Sequence, residues 1–360
     1  IDNSTLNAKT MGVQVCAGSL RITAGSTITV SGDAVPKAEG DGAIQDGAAI
    51  SIVDRTGYKG LGTVAVTGGK FTAKDKNNAL KAYKWENQAE SVFDNSTNII
   101  AVSGGSFPSA VEEKYCAPGF ESKTNDDGTY GVKIKANMAA EVLDAQGKTV
   151  GAYNTLTDAI AAAKDGDTVK LLQSCNGNGI QIKTETFATK GLTVDFGGNT
   201  YTVGGVLVGS AGTGTNAFQL LQGGKVTFQN GSIVGVTEGT TPAEDTPNWH
   251  GAPAIVIQNY CDLTLKNMTV TGGDETVYTM SNNHGDVVIE DSTITAGKAK
   301  GYSSGPYAFD VCGYSTYTGV SVTVKGSSTI NGDIEVSRSS NNAKDVKLAL
   351  ESGTVNGELK

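Results

Sequence analysis

Val226-Thr227-Phe228-Gln229-Asn230-Gly231-Ser232-Ile233 reads apolar, x, apolar, x, small, x, x, apolar, and the same phrase returns along the chain. Leu263, Leu265, Asn267 and Val270 repeat it, followed by Val287, Ile289, Asp291 and Ile294. Val194, Phe196, Gly198 and Tyr201 form an earlier copy, and Leu348, Leu350, Ser352 and Val355 a late one. In the first third, Val64, Val66, Gly68 and Phe71 match, as do Ile100, Val102, Gly104 and Phe107. Val322, Val324, Gly326 and Ile330 carry one extra residue. Alternation with period two marks a strand with one buried face. Asn, Asp, Gly or Ser after it marks a bend, because these residues accept left-handed backbone or bond locally to it. The apolar residue three positions later begins a second inward-facing strand. A strand that bends into another strand, repeatedly, is one wall of a solenoid.

The spacing between bends agrees. Asn230 to Asn267 is 37 residues, Asn267 to Asp291 is 24, Asp291 to Gly326 is 35 and Gly326 to Ser352 is 26. The short intervals are bare coils. The long ones carry loops, read at Glu238 to Pro253 and Ala296 to Pro306. A third strand-like segment precedes each copy: Phe218–Gln222, Ala254–Asn259, Val277–Asn282, Tyr307–Cys312 and Ile334–Ser337. Three strands per coil give the triangular section of an all-β, right-handed parallel β-helix. An antiparallel sandwich is the competing architecture, but its hairpins would not hold one bend motif in one phase.

Composition points the same way. Of 360 residues 48 are Gly and only 7 Pro, with Thr, Val, Ser and Asn abundant, which suits many short strands and tight turns. The net charge is −9 and the only arginines are Arg21, Arg55 and Arg338. No basic stripe is available to displace counterions, so nucleic acid is not an expected partner. No apolar run approaches the roughly 18 residues of a membrane span, so no membrane insertion is expected. The chain starts at Ile1 without a basic and apolar leader, which reads as a processed end. Cys16, Cys116, Cys175, Cys261 and Cys312 are odd in number and widely spaced, with no C-x-x-C pair, and read as reduced thiols rather than a disulfide framework or zinc site.

Between the early and late copies the pattern changes. Asn125-Asp126-Asp127-Gly128-Thr129-Tyr130 reads as a hairpin with an Asp-Gly turn. One short α-helix is expected near residues 154–164, capped by Asn154 or Thr155, with Leu156, Ile160 and Ala163 on one face and Asp165-Gly166 as exit. Thr168–Leu172 then reads as the first strand of a new coil.

From about Ser103 to Tyr201 these segments resemble a module of secreted and cell-surface, pectate-lyase-like parallel β-helix repeat proteins of gut Firmicutes and related bacteria. A segment like Gly104-Gly105-Ser106-Phe107 through Tyr115-Cys116-Ala117 and Asp127-Gly128-Thr129-Tyr130 closes a helix there. One like Asn154–Leu172 opens the next. The resemblance implies an extracellular or cell-surface location. The order here reads as a β-helical unit over 1–135, ending in the closing segment, and a helix-capped β-helix over 136–360. The two stack as one solenoid in an alternative reading. The helix covers an apolar end that would otherwise invite edge association.

The resemblance also makes carbohydrate cleavage an alternative. Lyases of this shape use clustered carboxylates, calcium and a basic residue; hydrolases use aspartates with Gly-His-Gly and Arg-x-Lys motifs. Here Asn282-Asn283-His284-Gly285 lacks the first Gly, and Arg-x-Lys is absent, so the reading leans away from an enzyme. If Phe309, Val311, Ile334 and Val336 face inward, Asp310 and Glu335 project outward from consecutive coils, with Arg338 at the edge; these are the catalytic candidates of the alternative. No metal site and no cofactor is expected, calcium entering only with a lyase.

The leading expectation is a non-catalytic surface module for adhesion or glycan contact. Tyr260, His284, Tyr314 and Tyr317 occupy the same polar turn of successive coils, and Trp249-His250 lie in the loop before them. Flat rings lined along one edge suit the apolar faces of sugars, so a glycan or host cell-surface ligand is the expected partner.

Overall fold

The repeat predicts stacked strands, and the computed structural model contains them. It describes residues 1–35, 44–55, 57–87, 89–209, 214–236, 251–314, 317, 319–339 and 346–360. The protein is all-β, with mostly parallel sheets and one α-helix among the described residues. It divides into two compact units, Ile1–Met138 with Lys148–Tyr153, and Ala139–Gly147 with Asn154–Lys360.

In the first unit, Gly18–Ile22, Leu61–Thr72 and Ile100–Phe107 pair in parallel, as do Val13–Val15, Ile50–Arg55 and Leu80–Glu86. The core they enclose includes Ile22, Ile50, Val64, Val66, Ile100 and Val102, all at 0% exposure. Phe71 and Phe107 stack at 4.8 Å between centroids. The expected hairpin is present as antiparallel Phe120–Thr124 and Tyr130–Ile134. The bends of this unit fall one residue later than the repeat implies. Gly69 and Gly105 have φ of +109° and +105°, whereas a Cβ on Gly68 would press on Ala24. Gly68 is small for packing, and its neighbour turns the chain.

In the second unit the strands form three parallel columns. The first runs through Thr168–Leu171, Leu192–Asp195, the start of Lys225–Gly235, the start of Asp262–Thr271, Gly285–Glu290, Val320–Lys325 and Val346–Leu350. Its inward row is Val169, Val194, Phe228, Leu265, Ile289 and Val324, each at 0 or 1% exposure. The second column places Tyr201, Ile233, Val270, Ile294 and Ile330 in register. The third runs through Ile180–Ile182, Asn216–Leu220, Ile255–Asn259, Tyr278–Asn282, Tyr307–Gly313 and Asp333–Arg338. Burying a large aliphatic or aromatic side chain contributes about 1.5–3 kcal/mol, so these rows supply the main stabilisation.

The bends between columns one and two are the Asn and Asp residues of the repeat. Asn230, Asn267 and Asp291 have φ of +59°, +52° and +49° and follow one another in register. Asn267 Nδ2 donates to Asn230 Oδ1, and Asp291 accepts from the Ser327 N–H and hydroxyl. In the last copy the left-handed residue is Gly353 rather than Ser352, and Leu350 and Val355 stay exposed on strands with a neighbour on one side only.

The helix spans Leu156–Ala162, and the Thr155 hydroxyl accepts from the Asp158 N–H as N-cap. Leu156, Ala159 and Ile160 form its buried face. Ala163 is the C-cap in extended conformation, so Ala159 takes the packing place assigned to it. No helix among the described residues is long and apolar enough to cross a membrane. All five cysteines are free, and burial pushes the Cys116 and Cys261 thiols up to about 11 and about 12.

Candidate functional site

The third column carries the site, because its strands and the turns that follow hold most of the residues singled out by sequence. Phe309, Val311 and Ile334 are buried at 0 to 1%, and Asp310 and Glu335 take the opposite parity. Asp310 lies in register with Glu335 on the adjacent strand. The expected inward Val336 is 36% exposed. Arg338 is exposed at the end of the same strand, in register with Gly313.

Asp310 is not the open, outward carboxylate that alternation suggests. It is 4% exposed. The Asn282 N–H donates to its Oδ1 at 2.5 Å and the Ser281 hydroxyl to its Oδ2 at 3.1 Å, while its own carbonyl accepts from Asn282 Nδ2. Burial pushes its pKa up to about 7, outweighing these donors, and Glu335 adds to the rise. Glu335 is partly exposed, and its Oε2 accepts from the Tyr278 hydroxyl at 2.9 Å. The pair therefore joins a readily protonated buried acid to a half-solvated carboxylate. It does not fit a calcium ion, which takes six to eight oxygens: both Asp310 oxygens already accept hydrogen bonds, and among the described residues no three His, Cys, Asp or Glu side chains gather closely enough to share a metal.

Beyond the pair, the turns bring the aromatic residues together. The Tyr317 ring lies 5.2 Å from Tyr260, 5.4 Å from His284 and 6.3 Å from Tyr314, and Tyr260 lies 6.4 Å from Tyr314. Tyr314 is 44% exposed and the other three rings are half-buried. His284 Nδ1 sits 3.1 Å from the Gly319 carbonyl, which puts the proton of a neutral ring on Nδ1 and leaves Nε2 as acceptor. Burial, then the neighbouring tyrosines and Asp310, raises the Tyr260 hydroxyl. Trp249 and His250 lie outside the described residues.

A cavity of about 210 Å³ adjoins this cluster, lined by Tyr260 and His284 together with Gly223, Gly224, Lys225 and Asp262. Gly224 is needed there: a Cβ would stand 1.8 Å from the Thr184 carbonyl. A larger groove of about 690 Å³ lies in the first unit, lined by Phe93, Asn95, Glu113, Lys114, Cys116 and Lys135 among others. Its polar groups are mostly engaged. Asn95 bonds Ile100 and Lys114 backbone groups through both amide atoms, and Glu113 pairs with Lys135 at 2.7 Å.

Sequence reasoning passed over Tyr278 and Tyr307. They stand in register at the start of their strands, ring centroids 5.1 Å apart and planes 17° from parallel. A signal existed, since both open the third-column strand just before two consecutive buried residues, Thr279-Met280 and Ala308-Phe309. Also missed was the amide row Gln181, Gln219 and Gln258, whose side chains bond one to the next at 2.6 and 2.8 Å. Comparison with known proteins gives this geometry no relative: no family model, no curated protein and no solved structure matches the chain.

Proposed function

We propose that the chain is an extracellular or cell-surface module of the pectate-lyase-like kind, built on right-handed parallel β-helix, that binds glycan without cleaving it. The three parallel columns and the recurring bend support the β-helix, and the strong right-handed bias of parallel crossovers supports its hand. The observation that carries the function is the meeting of Tyr260, Tyr314, Tyr317 and His284 in one half-exposed cluster. Such rings present apolar faces beside hydroxyl and imidazole groups, the combination a pyranose ring needs for stacking and hydrogen bonding. The test is a glycan array probed with the intact chain and with Tyr260→Ala and Tyr314→Ala. Glycan retention lost in both variants is expected; no retention by the intact chain, or retention indifferent to both changes, would sink the reading.

A second reading, a polysaccharide lyase or glycoside hydrolase, is favoured by the register of Asp310 with Glu335 and by the raised pKa of Asp310. A neutral acid beside an ionised carboxylate is the pairing glycoside hydrolysis uses. Against it stand the burial of Asp310 and the engagement of both its oxygens.

A further inference from the structure

The charge of the third-column face narrows the class of glycan. The row opposite in parity to the core runs in register through Gln181, Gln219, Gln258, Ser281, Asp310 and Glu335; Gln219, Ser281 and Asp310 are buried, and Glu335 is partly exposed. The glutamines bond to one another, and Ser281 bonds to Asp310. The one cation of the row is Lys360, which follows Glu335 in register and pairs with Asp333 and Glu358. Glu335 uses only Oε2, accepting from Tyr278 and, at 3.5 Å, from Ser337. Its Oε1 has no partner among the described residues, and no described cation pairs with it. The stacked Tyr278 and Tyr307 lie beside it.

An anionic sugar placed here would set its carboxylate against Glu335, and the neighbouring Lys360 is already paired with Asp333 and Glu358. A neutral sugar would leave Oε1 to water. An ammonium group would satisfy Oε1 with a charge-assisted hydrogen bond while meeting the negative faces of the flanking tyrosines. We propose that this face takes an amine-bearing glycan, a glucosamine-type oligosaccharide with free ammonium groups, held by Glu335 and stacked on the tyrosines. This rests on the glycan reading above and deepens it.

The experiment compares binding of a chitosan hexamer, its fully N-acetylated counterpart and a hexagalacturonate by calorimetry, at about pH 6 where a sugar amine is charged. The intact chain should bind the chitosan hexamer about tenfold or more tightly than the N-acetylated one, and the galacturonate least. Glu335→Gln should remove the preference and keep the residual N-acetyl binding. Asp126→Asn, which deletes one exposed charge in the first unit, should leave the preference intact. Tyr278→Phe frees Oε2 without removing the carboxylate, so its preference should persist even if Glu335→Gln fails to fold. Equal binding of the two chito-oligomers, or tightest binding of galacturonate, overturns the amine proposal while leaving the glycan reading standing. An equal loss in Asp126→Asn and Glu335→Gln also overturns it, as general attraction of a polycation to an acidic protein. Binding of none of the three overturns the amine proposal, and a silent glycan array would then remove the glycan reading as well.

Discussion

Asp310 and Glu335 stand in register on adjacent parallel strands, one with its oxygens capped by Asn282 and Ser281, the other touching Tyr278 and open to water. Adjacent strands lie about 4.8 Å apart, so two ionised carboxylates would repel strongly there. Burial of Asp310 resolves the conflict by favouring its protonated form near neutral pH.

That asymmetry sets a pH dependence. In the folded protein its pKa, about 7, lies above the ordinary carboxyl value of 3.8. Between these values the folded state holds a proton that the unfolded state has lost, so this group's contribution to stability falls as pH rises from about 4 to about 7, then levels off. The full effect is roughly 3–5 kcal/mol. Asp310→Asn keeps an acceptor for the Asn282 N–H and carries no charge. It should raise stability at about pH 8 by at least about 1 kcal/mol, with the gain vanishing near pH 4. Urea melts across that range check this, and a gain that grew toward acid would refute it.

The bend column is open to a backbone test. Asn267 has φ of +52° and bonds Asn230. Asn267→Ala should cost about 1–2 kcal/mol through left-handed strain and the lost bond, whereas Asn267→Gly should cost less. Equal losses on denaturation would show that the left-handed backbone at this position is not what matters.

Core and turn should differ sharply. Leu265 is 0% exposed in mid-column, and Leu265→Ala should cost about 2–5 kcal/mol. Tyr314 is 44% exposed, and Tyr314→Ala should cost less than half as much. Comparable falls in melting temperature would mean that the tyrosine cluster is structural.

Catalysis is checked by a reducing-end and unsaturated-end assay on pectin and mucin glycans. Release of neither product is expected, with or without added calcium. Turnover that disappears in Glu335→Gln would make the hydrolase or lyase reading the right one.

The fold was legible where one residue type served one purpose. Alternation set the inward row through Val194, Phe228, Leu265 and Ile289, and the left-handed asparagines at 230 and 267 were readable because few other residues accept that backbone. Paired glycines were ambiguous. At Gly68-Gly69 and Gly104-Gly105 one glycine turns the chain and the other lets a neighbour approach, and sequence does not separate the two needs. The register of Asp310 with Glu335 followed from parity, but the burial of Asp310 and its donors on the neighbouring strand did not. The Tyr278–Tyr307 stack needed the strand start to be known within a residue, which alternation alone does not fix.

The left-handed column also decides where this architecture can grow. From Asn230 to Asp291 the chain returns to the same register after 37 residues and then after 24, so the corner between columns one and two is indifferent to the length of each coil. The surplus is spent at other corners, as in residues 296–306 between the second and third columns. Those corners are free to vary in length and chemistry while the hydrophobic rows stay in step. Substitutions can therefore accumulate around the tyrosines and Glu335 without renegotiating the core.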